Sequence, residues 1–163
     1  MKIYIIGPSG SGKTTLANHL SYKYNVPAYE LDCLVYDDEH DHVKRSDLDV
    51  QKLFEGILNK PEWIIEDVGR EKFYKGLEKC DIIYYLRISK WMVYGRVVKR
   101  WFRQRLGFEK WNYPPTIPQF FDTLRVAKGY YNKEPEKINY IEQFSDKVVY
   151  LDYKEINKII REI

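Results

Sequence analysis

The chain has 163 residues, with 27 Lys+Arg against 24 Asp+Glu and a net charge of +3. That length predicts a single domain, residues 1–163, built on one sizeable core. So small a charge excludes a globally polybasic nucleic-acid binder and leaves only local clusters to argue for one.

Lys2–Ile6 is a short apolar run rich in β-branched residues, the pattern of a strand buried on both faces. Gly7 then opens the spacing G-x-x-x-x-G-K-T, carried by Gly7, Gly12, Lys13 and Thr14, and Leu16, Ala17 and Leu20 start a helix behind it. A polyphosphate needs backbone N–H groups turned inward without bulky side chains, and the helix N-terminus adds its own unpaired N–H groups. Gly7, Pro8, Ser9, Gly10, Ser11, Gly12, Lys13, Thr14 and Thr15 are therefore the expected nucleotide cradle. Lys13 supplies a mobile charge for the β- and γ-phosphates, and the Thr14 hydroxyl is the expected ligand for Mg²⁺.

A second strand is predicted over 26–32, ending on Glu30 and Asp32. Asp32 is read either as an acceptor of hydrogen bonds from a substrate hydroxyl or as a turn cap. Residues 36–45 are polar and charge-dense, hence a surface segment, and His40 and His42 are taken as surface residues rather than metal ligands. Ser46 with Asp49 resembles a helix N-cap arrangement. A third strand over 62–66 is followed by Asp67 and Arg70, a fourth runs over 81–86, and Ser89 caps a helix reaching about residue 106. Residues 107–118, with one glycine and three prolines, read as a loop; Pro118 starts the next helix. A short helix over about 135–144, a fifth strand over 147–151 and a terminal helix capped by Asp152 and Glu155 complete the chain.

Strands alternating with helices imply an α/β fold: a five-stranded parallel sheet covered on both faces, with ligands beyond the strand carboxyl ends. Glu66 closes an otherwise apolar strand there, where an acid can hold a metal's water shell or orient an acceptor; the alternative is an ordinary solvated strand end. Arg70 is read as a bidentate anion grip or as a surface ion pair. Arg96, Lys99, Arg100, Arg103 and Arg105 crowd one helix and its exit, with no Asp or Glu between Asp81 and Glu109. Arg96, Arg100 and Arg103 share a face, and a counter-anion such as a transferring phosphoryl group relieves their repulsion. The interleaved aromatics Trp91, Trp101, Phe102, Phe108, Trp111 and Tyr113 leave a single-strand nucleic-acid surface as the minority reading.

No apolar run approaches the ~20 residues of a membrane span, so no membrane partner is expected. Cys33 and Cys80 match no zinc spacing, and the first residues already read as strand and loop. A cytoplasmic protein with reduced thiols is expected.

These motifs resemble the adenylate-kinase-like branch of P-loop proteins, a three-layer fold with a small helical lid. Glu66-Asp-Val-Gly-Arg70 is similar to the D-G-x-P-R turn of nucleoside monophosphate kinases, with Asp67 in place of that turn's glycine and Gly69 in place of its proline. Arg96 and Arg100 resemble the R-x-x-x-R that opens the lid, and Arg125 resembles an arginine on the helix after it. Within that branch the layout looks most like the FlaR-type proteins labelled "DNA topology modulation protein", through the Leu31-Asp32 and Trp63-Ile-Ile-Glu66 pattern. The resemblance implies ATP and Mg²⁺ as cofactors, Lys13, Arg96, Arg100 and Glu66 as catalytic residues, and Asp32, Arg45, Arg70 and Arg125 as substrate contacts. It places an acceptor-side region at about 33–60 and a lid at about 100–120. The activity it implies is transfer of the γ-phosphoryl of ATP to a nucleotide, nucleoside or other small acceptor. A nucleotide-dependent nucleic-acid-binding or regulatory protein is the alternative, and a plain NTPase a third.

Overall fold

The computed structural model describes residues 1–37, 43–109 and 115–162. Its centre is β1 (Lys2–Ile6), flanked in parallel by β5 (Trp63–Asp67) and β6 (Ile82–Leu86), with Ile3 aligned to both Ile64 and Ile82. β2 (Ala28–Glu30) adds outside β5, and β7 (Val148–Leu151) outside β6. The five-stranded sheet thus runs β2-β5-β1-β6-β7 and is parallel throughout.

The strand period of two divides the core between the faces. Tyr4, Ile6, Trp63, Ile65 and Tyr85 point to one side, where α2 (Leu31–Val35), α3 (Asp47–Leu58), α4 (Lys75–Lys79) and α7 (Glu134–Ile141) contribute Leu31, Phe54, Leu77 and Ile141. Ile3, Ile5, Ile64 and Leu86 point to the other. There α1 (Lys13–Tyr24), α5 (Lys90–Arg105), α6 (Ile117–Asn132) and α8 (Tyr153–Arg161) contribute Leu16, Val97, Ala127 and Ile156. The result is a three-layer parallel sheet, as the sequence pattern implies.

The expected caps are formed. The hydroxyls of Ser46, Ser89 and Thr116 accept from the backbone N–H three residues on, and Asp152 with Glu155 makes a reciprocal capping box. Two expectations need correction. The second strand ends at Glu30, because Leu31 and Val35 are both buried and four residues apart, a helical spacing, so Asp32 sits in the first turn of α2 rather than at a strand end. The polar segment after it contains β3 (Tyr36–Asp37) and β4 (Val43–Lys44), which pair antiparallel as a small ribbon. His40, His42, Trp111 and Tyr113 lie outside the described residues.

Candidate active site

The loop between β1 and α1 turns under the carboxyl ends of β1 and β5. Gly7 N–H donates to the Asp67 carbonyl and Ser11 N–H to the Pro8 carbonyl, so the backbone folds back on itself. Gly12 is the N-cap of α1 with φ of 103°, a conformation that L side chains rarely adopt, which is why glycine occupies that position. Lys13 is 7% exposed and lies across the loop: its Nζ donates to the Pro8 carbonyl at 3.2 Å and sits 3.5 Å from Glu66 Oε2. Glu66 is 4% exposed, and its other oxygen accepts from Thr14 Oγ1 at 2.5 Å. One buried carboxylate therefore touches both residues that the motif assigns to phosphate and metal.

The opposite wall is α5. Arg96 Nη1 donates to the carbonyls of Gly10 and Ser11 at 3.2 and 3.0 Å, and its guanidinium stacks 4.6 Å above the ring of Tyr153. Hydrogen bonding to Asn157 and to Arg96 draws the Tyr153 phenol below its ordinary pKa. Arg100, one turn further, lines with Gly12, Lys13, Thr14 and Thr15 a cavity of about 490 Å³. The five cations of this helix do not act as one set. Arg103 Nε pairs with Glu109 at 3.2 Å, and Arg105 lies over the Trp101 ring. Arg96 is engaged with the loop, which leaves Arg100 as the α5 arginine in the cavity wall without an ion pair among the described residues.

Beyond β5 the turn carrying Arg70 is rigid. Asp67, 2% exposed, accepts from the Arg70 N–H at 2.6 Å and from its Nε at 2.7 Å, and Asp32 Oδ1 lies 2.9 Å from Arg70 Nη2. Burial alone would lower the Arg70 pKa, but the Asp67 and Asp32 carboxylates more than offset it and hold the guanidinium above its ordinary value. Breaking such a buried pair by removing one partner costs ~3–5 kcal/mol. Gly69, at φ 78°, gives the turn its shape, and its carbonyl accepts from Lys137 Nζ. Lys137, Lys133, Arg70 and Ser9 line a basic cleft of about 340 Å³. Burial pushes the Lys137 pKa down; the Asp67 carboxylate opposes this shift and Lys133 reinforces it.

The structure thus brings together Gly7 to Thr15, Glu66, Arg96 and Arg100, and beside them Asp32 with Arg70. Two expected substrate residues stand elsewhere. Arg45 Nη1 donates to the carbonyls of Cys33, Leu34 and Tyr36, around the carboxyl end of α2. Arg125 pairs with Asp122 on its own helix and its side chain is 80% exposed. Sequence reasoning missed Tyr153 and Lys137, which carry no motif: each is one polar residue on an amphipathic helix, positioned only by tertiary packing. It also weighted Asp67 below Glu66, although Asp67 organises the Arg70 turn.

For the metal, no group of three or more His, Cys, Asp or Glu among the described residues is placed to hold an ion unaided. The donor set nevertheless suits Mg²⁺, which takes one or two protein oxygens and completes its shell from phosphates and water. Thr14 Oγ1 and the Glu66 carboxylate, already in contact, are the protein oxygens at the loop.

A glycine loop between the first strand and first helix, a buried Lys–Glu pair beneath it and arginines reaching over from the far helix define a P-loop protein with a kinase-like fold. Residues 3–106, more than half of the chain, match the family model described as AAA domain, and the chain belongs to that family. Solved structures share the fold. A gluconokinase from Sinorhizobium meliloti 1021 is 17% identical, with a TM-score of 0.52, 99% of this chain and 87% of that one being covered. A shikimate kinase from Bacteroides thetaiotaomicron is 18% identical, with a TM-score of 0.55 and coverage of 99% and 94%. A search of curated proteins returns no significant sequence match. No helix among the described residues is long and apolar enough to cross a membrane.

Proposed function

We propose that the protein is a Mg²⁺-dependent phosphotransferase that moves the γ-phosphoryl of ATP to a small acceptor, a nucleotide or nucleoside on the adenylate-kinase-like resemblance. The observation that carries this reading is the buried Glu66 carboxylate touching both Lys13 and Thr14, with Arg100 lining the same cavity as those two residues. The fold shared with a gluconokinase and a shikimate kinase supports phosphotransfer to a small molecule.

In this reading an acceptor oxygen bonds to the γ-phosphorus as the bridging P–O bond breaks and ADP leaves. Lys13 and Arg100 meet the charge on the transferring group, and Arg96 holds the loop in shape for it. Mg²⁺, when bound, neutralises charge on the β- and γ-phosphates. Where the acceptor is an alcohol, its hydroxyl donates to the Asp32 carboxylate, which Arg70 orients. Where it carries an anion, the Arg70, Lys133 and Lys137 cleft is the cationic surface beside the loop. Residues 100–120, the end of α5 and the start of α6, are the proposed lid, whose closure excludes water from the transfer. The protein works on this account as one domain in the cytoplasm.

Incubation with labelled ATP·Mg²⁺ and a panel of nucleosides, nucleotides and small alcohols tests the reading; a labelled acceptor is the expected product. A nucleic-acid role is the second reading. The exposed Trp91, Phe102 and Phe108 beside Lys90, Lys99 and Arg103 favour it. A steep loss of DNA affinity with salt, abolished in Arg103→Ala, is its signature.

A further inference from the structure

If the protein transfers phosphoryl groups, the acceptor must enter beside the donor cavity, and the structure offers a second cavity there. It measures about 280 Å³ and shares Glu30, Val97, Arg100 and Glu109 with the first. Beyond that shared wall its chemistry changes. Its lining passes to Asp32, the rings of Trp101 and Phe120, and the amide of Gln119. Among the described residues that line it the one cation is Arg100, already committed to the donor side, beside the carboxylates of Glu30, Asp32 and Glu109, the last two paired with Arg70 and Arg103.

The aromatic wall is held in place. Trp101 Nε1 donates to the Thr116 carbonyl at 3.3 Å, and its ring lies 5.2 Å from Phe120 and 5.0 Å from Phe102. Gln119, in the first turn of α6, has no side-chain hydrogen bond to another described residue in the structure. A primary amide presents a donor and an acceptor along one edge, the pattern that matches the edge of a heterocyclic base. Aromatic faces stack on such rings at ~1–3 kcal/mol each. An acyclic polyol or sugar acid can hydrogen-bond the amide but has no planar face for the rings to stack on.

We infer that this cavity seats the planar heteroaromatic ring of a nucleoside-type acceptor, packed against Trp101 and Phe120 and read by Gln119, with its sugar hydroxyls directed to Asp32. The inference rests on the phosphotransfer reading and adds the location of specificity. It lies on α5 and α6, the helices flanking the proposed lid, rather than on residues 33–60, where the sequence placed the acceptor.

The test is calorimetric titration of the four ribonucleosides and their 5′-monophosphates into the full chain, saturated with a non-hydrolysable ATP analogue and Mg²⁺. Gluconate, shikimate and glycerol serve as comparison ligands, and label transfer is measured in parallel. At least one nucleoside-type compound is expected to bind about 100-fold more tightly than the comparison ligands. Gln119→Ala should weaken it about tenfold, with affinity for the ATP analogue unchanged. Trp101→Leu should act in the same direction and Trp101→Phe restore most of the binding; melting curves establish that each variant is folded. Gln119→Glu, a carboxylate that only accepts, should shift preference toward bases with an exocyclic amino group.

Comparison ligands that bind as tightly as nucleosides overturn the inference. So do nucleosides that fail to bind, or an unchanged acceptor affinity in folded Gln119→Ala. Nucleoside binding that depends on Gln119 with no label transferred would retire phosphotransfer and keep the site. Label transferred to gluconate or glycerol alone would do the reverse.

Discussion

The proposed donor side and the proposed acceptor side of the cleft are built in different ways. The donor side is nearly continuous in sequence: nine residues, Gly7 to Thr15, form the loop and the start of α1, and Glu66, Asp67, Arg96 and Arg100 reach it from elsewhere. The acceptor side is assembled from Asp32 on α2, Arg70 after β5, Trp101 on α5, Gln119 on α6 and Lys137 on α7. On the proposed function, the contrast suggests a division of labour: one loop would carry the chemistry, while side chains from five separate elements would select the acceptor.

The sharpest way to break that contrast is Lys13→Ala. Its removal should lower transfer by about a thousandfold or more. Because it also leaves the buried Glu66 carboxylate without its cation, a melting curve establishes that the variant is folded; near-normal turnover would remove the donor assignment. Next in size is the Arg70 turn. Asp67→Asn should destabilise the protein by ~3 kcal/mol and raise the acceptor KM, read from urea unfolding and steady-state kinetics. A variant as stable as wild type would show that the turn does not depend on this pair.

Arg100→Ala should reduce kcat about 10- to 100-fold, because Arg100 lines both cavities, whereas Arg103→Ala, paired with Glu109 on the exposed side, should leave kcat within about twofold. Equal losses in the two would mean that the arginine face acts as one unit after all. Arg45→Ala separates two roles. Loss of the α2 carbonyl contacts predicts a stability cost of ~1–3 kcal/mol at constant KM, whereas a raised acceptor KM at constant stability would return Arg45 to the substrate.

The smallest effect is a pH dependence of the core. Burial raises the phenols of Tyr4, Tyr74, Tyr85, Tyr130 and Tyr131, Tyr74 to about 12, and pushes the Cys80 thiol up to about 12. Unfolded tyrosine and cysteine lose protons near their ordinary values of ~10 and ~8.5, while the folded groups keep theirs. The stability they contribute is therefore full below pH ~8.5 and declines as pH rises from there toward 12. Tyr85→Phe and Tyr130→Phe, which remove a linked pair of hydroxyls 3.1 Å apart, should flatten that decline. A urea midpoint constant from pH 8 to 11 would contradict it.

The sheet was legible because its strands are apolar runs of four or five residues separated by helices with visible caps. β2 was legible only in part: a strand was expected over 26–32, but it stops at Glu30, because Leu31 opens a one-turn helix that also buries Val35. The β3–β4 ribbon was invisible because each strand has only two residues, too few to show a period of two, and its pairing is a tertiary fact. In the site the loop was fully legible, since spacing alone encodes it. Glu66 and Arg70 were found through their place at a strand end, but nothing local in the sequence distinguishes Gln119, Tyr153 or Lys137 from ordinary helix residues. Arg125 and Arg45 lie away from the loop: one pairs with Asp122 at an exposed position and the other braces backbone carbonyls, placements that distance along the chain does not reveal.

The most direct measurement follows the γ-phosphoryl itself. Wild-type protein and Lys13→Ala are each incubated with γ-labelled ATP, Mg²⁺ and the nucleoside and nucleotide panel, and the label is traced to acceptor or to inorganic phosphate. The expected result is label on an acceptor with wild type and on neither product with the variant. Label found only in inorganic phosphate with wild type, or transferred equally by the variant, would contradict it.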